Sequence, residues 1–395
     1  MANLHVVQSL KAKNRIIVLL TAALFCFSLL TIAHAADVKA PSMIKLSTYD
    51  VGSSAYMMYG FVGEAMIKRF GVQLRVIPAG NDIARMISLR LKQVDFAGQG
   101  GDMYYAVEGL DRYAEKAWGP QPLRMVWMAR NSGQTGIVRG DSGIKSWADI
   151  KGKKLPYIPG SVFTTIHEGF LAFAGLTWKD VKKVPVSGFG TMMSALADGK
   201  IDLACASVNV PPAYELQSGP HGVYFLPVPA TDKAGWERLT DVVPFLSPFK
   251  ASVGPTLSKE HPVEVASYAY PVTLCYDFLD DDTAYFMTKA IHQCYPEMAP
   301  RNDSIKNFWS LEECLSLYEP SKGYIFHNGS VRYLKEIGVW KPEWDQIQQK
   351  RLERQKALKA LWEKTVAEAK EKSISDNDFL KFWLGKRSAV FKESY

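Results

Sequence analysis

The polar groups this sequence gathers at its strand exits are hydroxyls, amides and glycine backbone, a set suited to gripping a small solute. The fullest example is Tyr157-Ile158-Pro159-Gly160-Ser161-Val162-Phe163-Thr164-Thr165, running into Ile166-His167-Glu168-Gly169-Phe170-Leu171-Ala172-Phe173-Ala174-Gly175. It reads as a short strand, a tight turn at Pro159-Gly160, and a helix that Ser161, Thr164 or Thr165 can cap. Phe163, Ile166, Phe170 and Ala174 recur at helical spacing, and Gly175 supplies a stop. A helix that begins this way turns unpaired N–H groups and a partial positive charge outward, beside hydroxyl donors. That is the chemistry of a small-anion site. A capped helix is also an ordinary building block, so the neighbouring loops must decide between the two.

Motifs for bond-breaking start and then fail. Gly140-Asp141-Ser142-Gly143 imitates a serine-protease nucleophile loop, but Ile144 takes a glycine's place and no histidine sits in the matching upstream context. His167-Glu168 opens a zinc-helix pattern, yet Leu171 stands where the second histidine belongs. No pair of histidines or of cysteines has metal-ligand spacing, and His292 with Cys294 is the best of a poor set. Asp280-Asp281-Asp282 reads as a helix start rather than a calcium loop, and no lysine follows a glycine-rich turn as a phosphate loop requires. No catalytic residue, metal or cofactor is expected.

The elements that must position these loops lie in a chain of 395 residues, 47% apolar and 22% charged, long enough for two domains. Residues 1–35 stand apart as a secretory signal peptide. Lys11, Lys13 and Arg15 precede the apolar run Ile16 to Ile32, and Ala33-His34-Ala35 offers a cleavage site. The run is short for an uncleaved anchor. Cys26, flanked by Phe25 and Phe27, is a poor lipid-attachment site. Cleavage removes three bases and no acids, lowering the formal charge from +7 to +4, too mild for a nucleic-acid partner. The expected address is the periplasm. An oxidising compartment permits a disulfide, with Cys275 and Cys294 the candidate pair, but Cys205, Cys275, Cys294 and Cys314 read mainly as small buried hydrophobes.

From Met43 onward strands and helices alternate, which predicts a mainly parallel sheet covered on both faces. Residues 41–129 and 246–340 are assigned to a first lobe, and 130–245 to a second, inserted lobe. Val265 to Asp277 reads as one long strand and Asp280 to Tyr295 as a helix. Residues 341–395 form a helical extension. Pro342 to Lys372 is a long charged helix with an apolar stripe of Trp344, Ile347, Leu358, Leu361, Trp362, Val366 and Ala369 and an i,i+4 pair, Glu368 with Lys372. The stripe should pack on the outside of the lobes.

The loops Gly52 to Tyr56, Gly80 to Asp82, Gln99 to Asp102, Gly160 to Thr165 and Ser207 to Pro212 leave the C-terminal ends of strands. In open α/β sheets that edge is where ligands bind. In order and spacing they resemble the TAXI-class solute-binding subunits of tripartite ATP-independent periplasmic (TRAP) transporters. The likeness rests on Ser53-Ser54-Ala55-Tyr56 with Gly60, Ala79-Gly80-Asn81, Gln99 to Asp102, Asp141 to Ser146 through Leu155, Gly160-Ser161, and Asp198-Gly199-Lys200-Ile201-Asp202. Tyr285 to Ile291 and Gly329 to Gly338 extend it, so it spans 43–340. Departures fall in the ligand loops. Ser53, Ser54 and Ala55 stand where the class has Gly-Gly-Thr, Ala84 stands where asparagine is frequent, the Gly160-Ser161 loop is one residue longer, and Gln99 to Asp102 carries an extra glycine.

The resemblance implies a two-lobed α/β architecture, the type II periplasmic-binding-protein fold with parallel-rich sheets, here with a long C-terminal helix. It implies capture of a small organic acid, such as glutamate or a mono- or dicarboxylate, and its delivery to the membrane permease subunits of a TRAP transporter. A binding protein of an ATP-driven (ABC) importer is the near alternative, and an exported enzyme the distant one. The expected ligand-binding residues are Gly52, Ser53, Ser54, Tyr56, Asn81 and Gln99 on one lobe, and Gly160, Ser161, Thr164, Thr165 and Asn209 on the other. Arg85 could add a cation, with a solvent-facing role favoured.

Overall fold

Two chain crossings, rather than one long linker, decide how this molecule is built. The computed structural model describes Val38 and residues 40–391; the expected signal peptide, Cys26 with it, lies outside the described residues. The first elements are β1 (Met43–Thr48), α1 (Ser54–Phe70), β2 (Gln73–Pro78), α2 (Asp82–Arg90), β3 (Phe96–Gln99), α3 (Asp102–Glu108) and β4 (Leu123–Arg130). Then come β5 (Gln134–Arg139), β6 (Lys154–Tyr157), α4 (Val162–Phe173), β7 (Lys182–Pro185), α5 (Phe189–Ala197), β8 (Ala204–Ser207), α6 (Pro211–Ser218), β9 (Val223–Phe225), α7 (Lys233–Val242) and β10 (Ser247–Ala251). The chain closes with β11 (Val263–Ser267), β12 (Ala269–Tyr276), α8 (Asp281–Met298), α9 (Asp303–Phe308), α10 (Leu311–Ser316), α11 (Asn328–Glu336), α12 (Pro342–Glu371) and α13 (Asp376–Val390).

The first sheet has the order β2-β1-β3-β12-β4. β1 is parallel to β2 and β3, as helix-linked strands require, while β12 enters antiparallel between β3 and β4. Every residue of β12 is buried. The second sheet has the order β10-β11-β5-β8, with β9 also on β5. Here the pairing departs from the parallel expectation: β8, β9 and β11 all run antiparallel to β5. The reason is direction of entry. β5 starts where the chain arrives from β4, so its first residue, Gln134, faces the last residue of β8, Ser207. β6 and β7 form a separate parallel pair, tied to the approach of β8 by Asp202 N–H on Lys154 O at 2.9 Å.

The apolar run from Val265 is not one strand. It changes sheet at Tyr268, so β11 belongs to the second sheet and β12 to the first. β10 and β11, expected in the first lobe because the boundary was set at 246, pair in the second sheet. Asn131 ties the two crossings together. Its N–H donates to Tyr268 O at 2.9 Å, and its C=O accepts from Ser267 Oγ at 2.8 Å.

α12 lies against the first sheet's half of the molecule. Its Leu358, Trp362 and Ala369 form a buried cluster with Ala114 and with Phe379 and Trp383 of α13. Gln348 of α12 hydrogen-bonds both backbone groups of Phe326 at 3.1 Å. Glu368 takes the expected Lys372 at 2.7 Å and also Lys386 of α13. The four cysteines Cys205, Cys275, Cys294 and Cys314 are all free and buried.

Candidate functional site

The strand-exit loops of the first sheet meet those of the second sheet and of the β6–β7 pair face to face in a closed seam. Ser161 caps α4, its Oγ accepting from Phe163 N–H at 3.3 Å, and Gly160 just before it sits at φ +68, where glycine costs least. The first amide of α4, Val162 N–H, is not free for a solute. It donates to Asp82 Oδ2 at 2.7 Å, and Asp82 stands at the start of α2, on the first sheet.

Asp82 is fully buried and its other oxygen pairs with Arg85, one turn along α2. Arg85 is also fully buried, which corrects the solvent-facing expectation. Its remaining donors reach Gln99 Oε1 at 3.0 Å and Ala79 O at 3.1 Å, and its guanidinium lies 3.7 Å from the centre of the Tyr49 ring. Burial opposes its charge, but the Asp82 carboxylate beside it holds Arg85 above its ordinary value. Sequence pattern cannot show this, because a helical i,i+3 pair looks alike on a wet face and a dry one.

A second bridge lies alongside. Arg112 pairs with buried Asp102 and donates to Thr165 Oγ1 of α4 at 3.2 Å, while Thr165 donates to Asp111 Oδ2 at 2.8 Å. Tyr113 also donates to Asp102. Burial pushes the Asp102 carboxyl up, to about 7, against the pull of Arg112. The seam thus matches two arginines with Asp82, Asp102 and Asp111. Aromatic rings fill the remainder: Tyr49 packs edge-on to Phe163 and Tyr270, and Tyr268 stands between Tyr270 and Phe245. A Cβ at Gly101 would lie 1.9 Å from the Phe245 ring, so the extra glycine of that loop is what lets Phe245 in.

The expected ligand residues fall into three groups along this seam. Gln99 and Ser161 are at its centre with Thr165, and Gly160 faces Ile83 across it. Ser53 caps α1, and Ser54 hydrogen-bonds the Tyr270 hydroxyl; burial pushes that phenol up, to about 12. Asn81 caps α2, and Thr164 is spent on its own loop, bonding both backbone groups of Ile158. Gly52, at φ +90, borders a cavity of about 540 Å³ with Phe189, Met193 and Asp198. Asn209 binds Ser304 and lines another cavity, of about 430 Å³, with Met57 and Tyr214. Tyr56 is half-buried. The structure therefore gathers these residues along one interface without joining them in one open pocket. Tyr49, Asp82, Arg112, Tyr268 and Tyr270 were missed as ligand-site residues; of these only Asp82 lies in a loop singled out in the sequence, Gly80 to Asp82.

His167 is a core residue rather than a ligand. Its Nδ1 donates to Phe163 O at 2.6 Å and its Nε2 accepts from Cys205 N–H at 2.9 Å, pinning α4 to β8. Burial pushes it down to about 4. Among the described residues, no group of three acidic, histidine or cysteine side chains is placed to hold a metal, and no helix is long and apolar enough to cross a membrane.

The model of the NMT1-like family matches residues 47–338. This chain belongs to the NMT1-like family. The matched part of this NMT1-like chain holds the second sheet, the first sheet apart from the start of β1, and the whole seam, and it stops just before α12. Similar solved structures include one described as a periplasmic transporter, 15% identical, covering 78% of this chain and 96% of that one at a TM-score of 0.49. The periplasmic aliphatic sulphonate binding protein SsuA from Escherichia coli is 15% identical over 83% of this chain and 89% of its own, with a TM-score of 0.42. PhnD1 from Prochlorococcus marinus, solved with methylphosphonate, is 13% identical over 76% and 100%, with a TM-score of 0.41. No curated protein sequence matches this chain. The NMT1-like chain has a mixed α/β fold, with parallel strands in its first sheet and in the β6–β7 pair, and a long C-terminal helix.

Proposed function

We propose that this chain is an extracytoplasmic solute-binding protein. Two lobes, one on each sheet, shut on a small organic acid and present it to the permease subunits of a TRAP transporter. The observation that carries the reading is the seam itself. Five strand-exit loops, from the two sheets and the β6–β7 pair, face each other there, and the chain passes between the sheets at paired crossings near Asn131 and Tyr268 that can serve as a hinge. The acid end is assigned to the start of α4, where Ser161, Thr165 and the first amides converge. Tyr49, Gln99 and the Ser53-Ser54 turn form the opposite wall. Three or four charge-assisted hydrogen bonds at about 1.5–3 kcal/mol each would account for micromolar binding, about −8 kcal/mol.

Delivery to an ABC importer is the second reading, favoured by the match to the NMT1-like family at large rather than to the TAXI class. One small and one large membrane subunit encoded beside this chain would favour the TRAP partner; a nucleotide-binding subunit would favour the other. The reading as a binder is tested by a thermal-shift screen of amino acids and mono- and dicarboxylates on the mature protein. A ligand at 100 times its Kd adds about 2.7 kcal/mol. Ser161→Ala and Tyr56→Ala should then each weaken the hit in calorimetry. No shift with any solute, or turnover of a bound acid, would replace the reading.

A further inference from the structure

We infer that Asp82 is a built-in rival for the ligand's acid group, which latches the cleft shut from inside the chain. The rivalry rests on the acid-binding reading above; the latch rests on geometry alone. The first amide of a helix is the donor that an incoming carboxylate would take. Here Asp82 reaches it from the opposite lobe at 2.7 Å, fully buried, with Arg85, Gln99 and the Tyr49 ring fixing the approach.

The surroundings support the reading of this seat as a solute's. The two walls touch directly: a Cβ at Gly188 would lie 2.6 Å from Asp50 Oδ2 and 3.4 Å from Gly80 O. Beside the seat, the Tyr49 hydroxyl is buried without a partner. A surrogate carboxylate satisfies the helix amide and leaves unmet another donor that a ligand would engage. When the lobes part, Asp82 keeps Arg85 on its own helix and gives up only the Val162 amide. A solute acid must compete for that amide before closure, so its affinity is a difference between two carboxylates.

The deciding variant is Val162→Pro. Proline is accepted at the first helical position, where it removes the N–H and exchanges the buried Val162 side chain for one of similar size, and Ser161, at φ −121 and ψ 141, already has the backbone that a following proline demands. Small-angle scattering without any solute should give a compact wild type and a larger radius of gyration for Val162→Pro. Asp82→Ala should shift the same way, although it also strands Arg85. Variants that scatter like the wild type, or a wild type already expanded, would overturn the latch. Calorimetry with glutamate and succinate on Asp82→Asn tests the rivalry: affinity should rise about tenfold or more, and an unchanged or weaker acid affinity sinks it. If neither probe binds either protein, the acid reading of the cleft fails, and scattering still decides the latch.

Discussion

Two buried carboxylates, Asp82 and Glu108, each bind arginine and put the bond to opposite use. Glu108 ends α3 and accepts from Arg354 Nε and Nη2 at 2.9 and 2.8 Å and from Arg387. Arg354 lies on α12 and Arg387 on α13, so both oxygens are committed to holding the C-terminal extension. Trp383 Nε1 donates to Gly109 O at 2.6 Å next door. Asp82 instead divides its oxygens between its own helix and the start of α4, and the part that crosses the seam is a single hydrogen bond. A carboxylate with several arginine donors holds like a weld; one sharing a backbone amide can let go.

The largest effect should come from breaking the weld. Glu108→Ala leaves two arginines without their carboxylate and should cost about 3–5 kcal/mol in urea unfolding. It should also open α13 to proteolysis while leaving solute-free scattering of the cleft unchanged. Acid should act on the other side of the comparison. Because burial holds His167 at about 4 against an ordinary 6.5, the neutral ring favours the fold. That stability is complete above pH 6.5 and is lost as pH falls toward 4, by up to about 3 kcal/mol. His167→Gln should flatten the melting temperature across that window.

Smaller changes sharpen the contrast. Thr165→Val removes the hydrogen bonds to Asp111 and Arg112 and should cost about 1 kcal/mol, read as a modest expansion in scattering. Ser161→Ala and Ser375→Ala remove equivalent helix caps on α4 and α13, each worth about 0.5–1 kcal/mol in denaturation. Only the first should also change solute affinity.

The alternation of strand and helix was legible because each element carries its own signal. β1 begins at Met43 as the apolar pattern says, Ser161 caps α4, and Lys372 meets Glu368. What could not be read is which sheet a continuous apolar run joins. Nothing local at Tyr268 marks the change from β11 to β12, since both environments are equally dry. The seam was half legible for the same reason. Hydroxyls and glycines at strand exits announce themselves, whereas Asp82 and Arg85 become a buried pair only once the second lobe covers them.

The late arrival of β12 has a consequence for assembly. β3 and β4 are made early, yet they are neighbours only through a strand that follows the entire second sheet in the chain. During synthesis, which delivers the amino-terminal part first, that half of the molecule has a slot at its centre and no means of filling it. The first sheet therefore sets last around its own middle, and a chain stalled before Ala269 would present two unsatisfied apolar edges to whatever chaperone meets it.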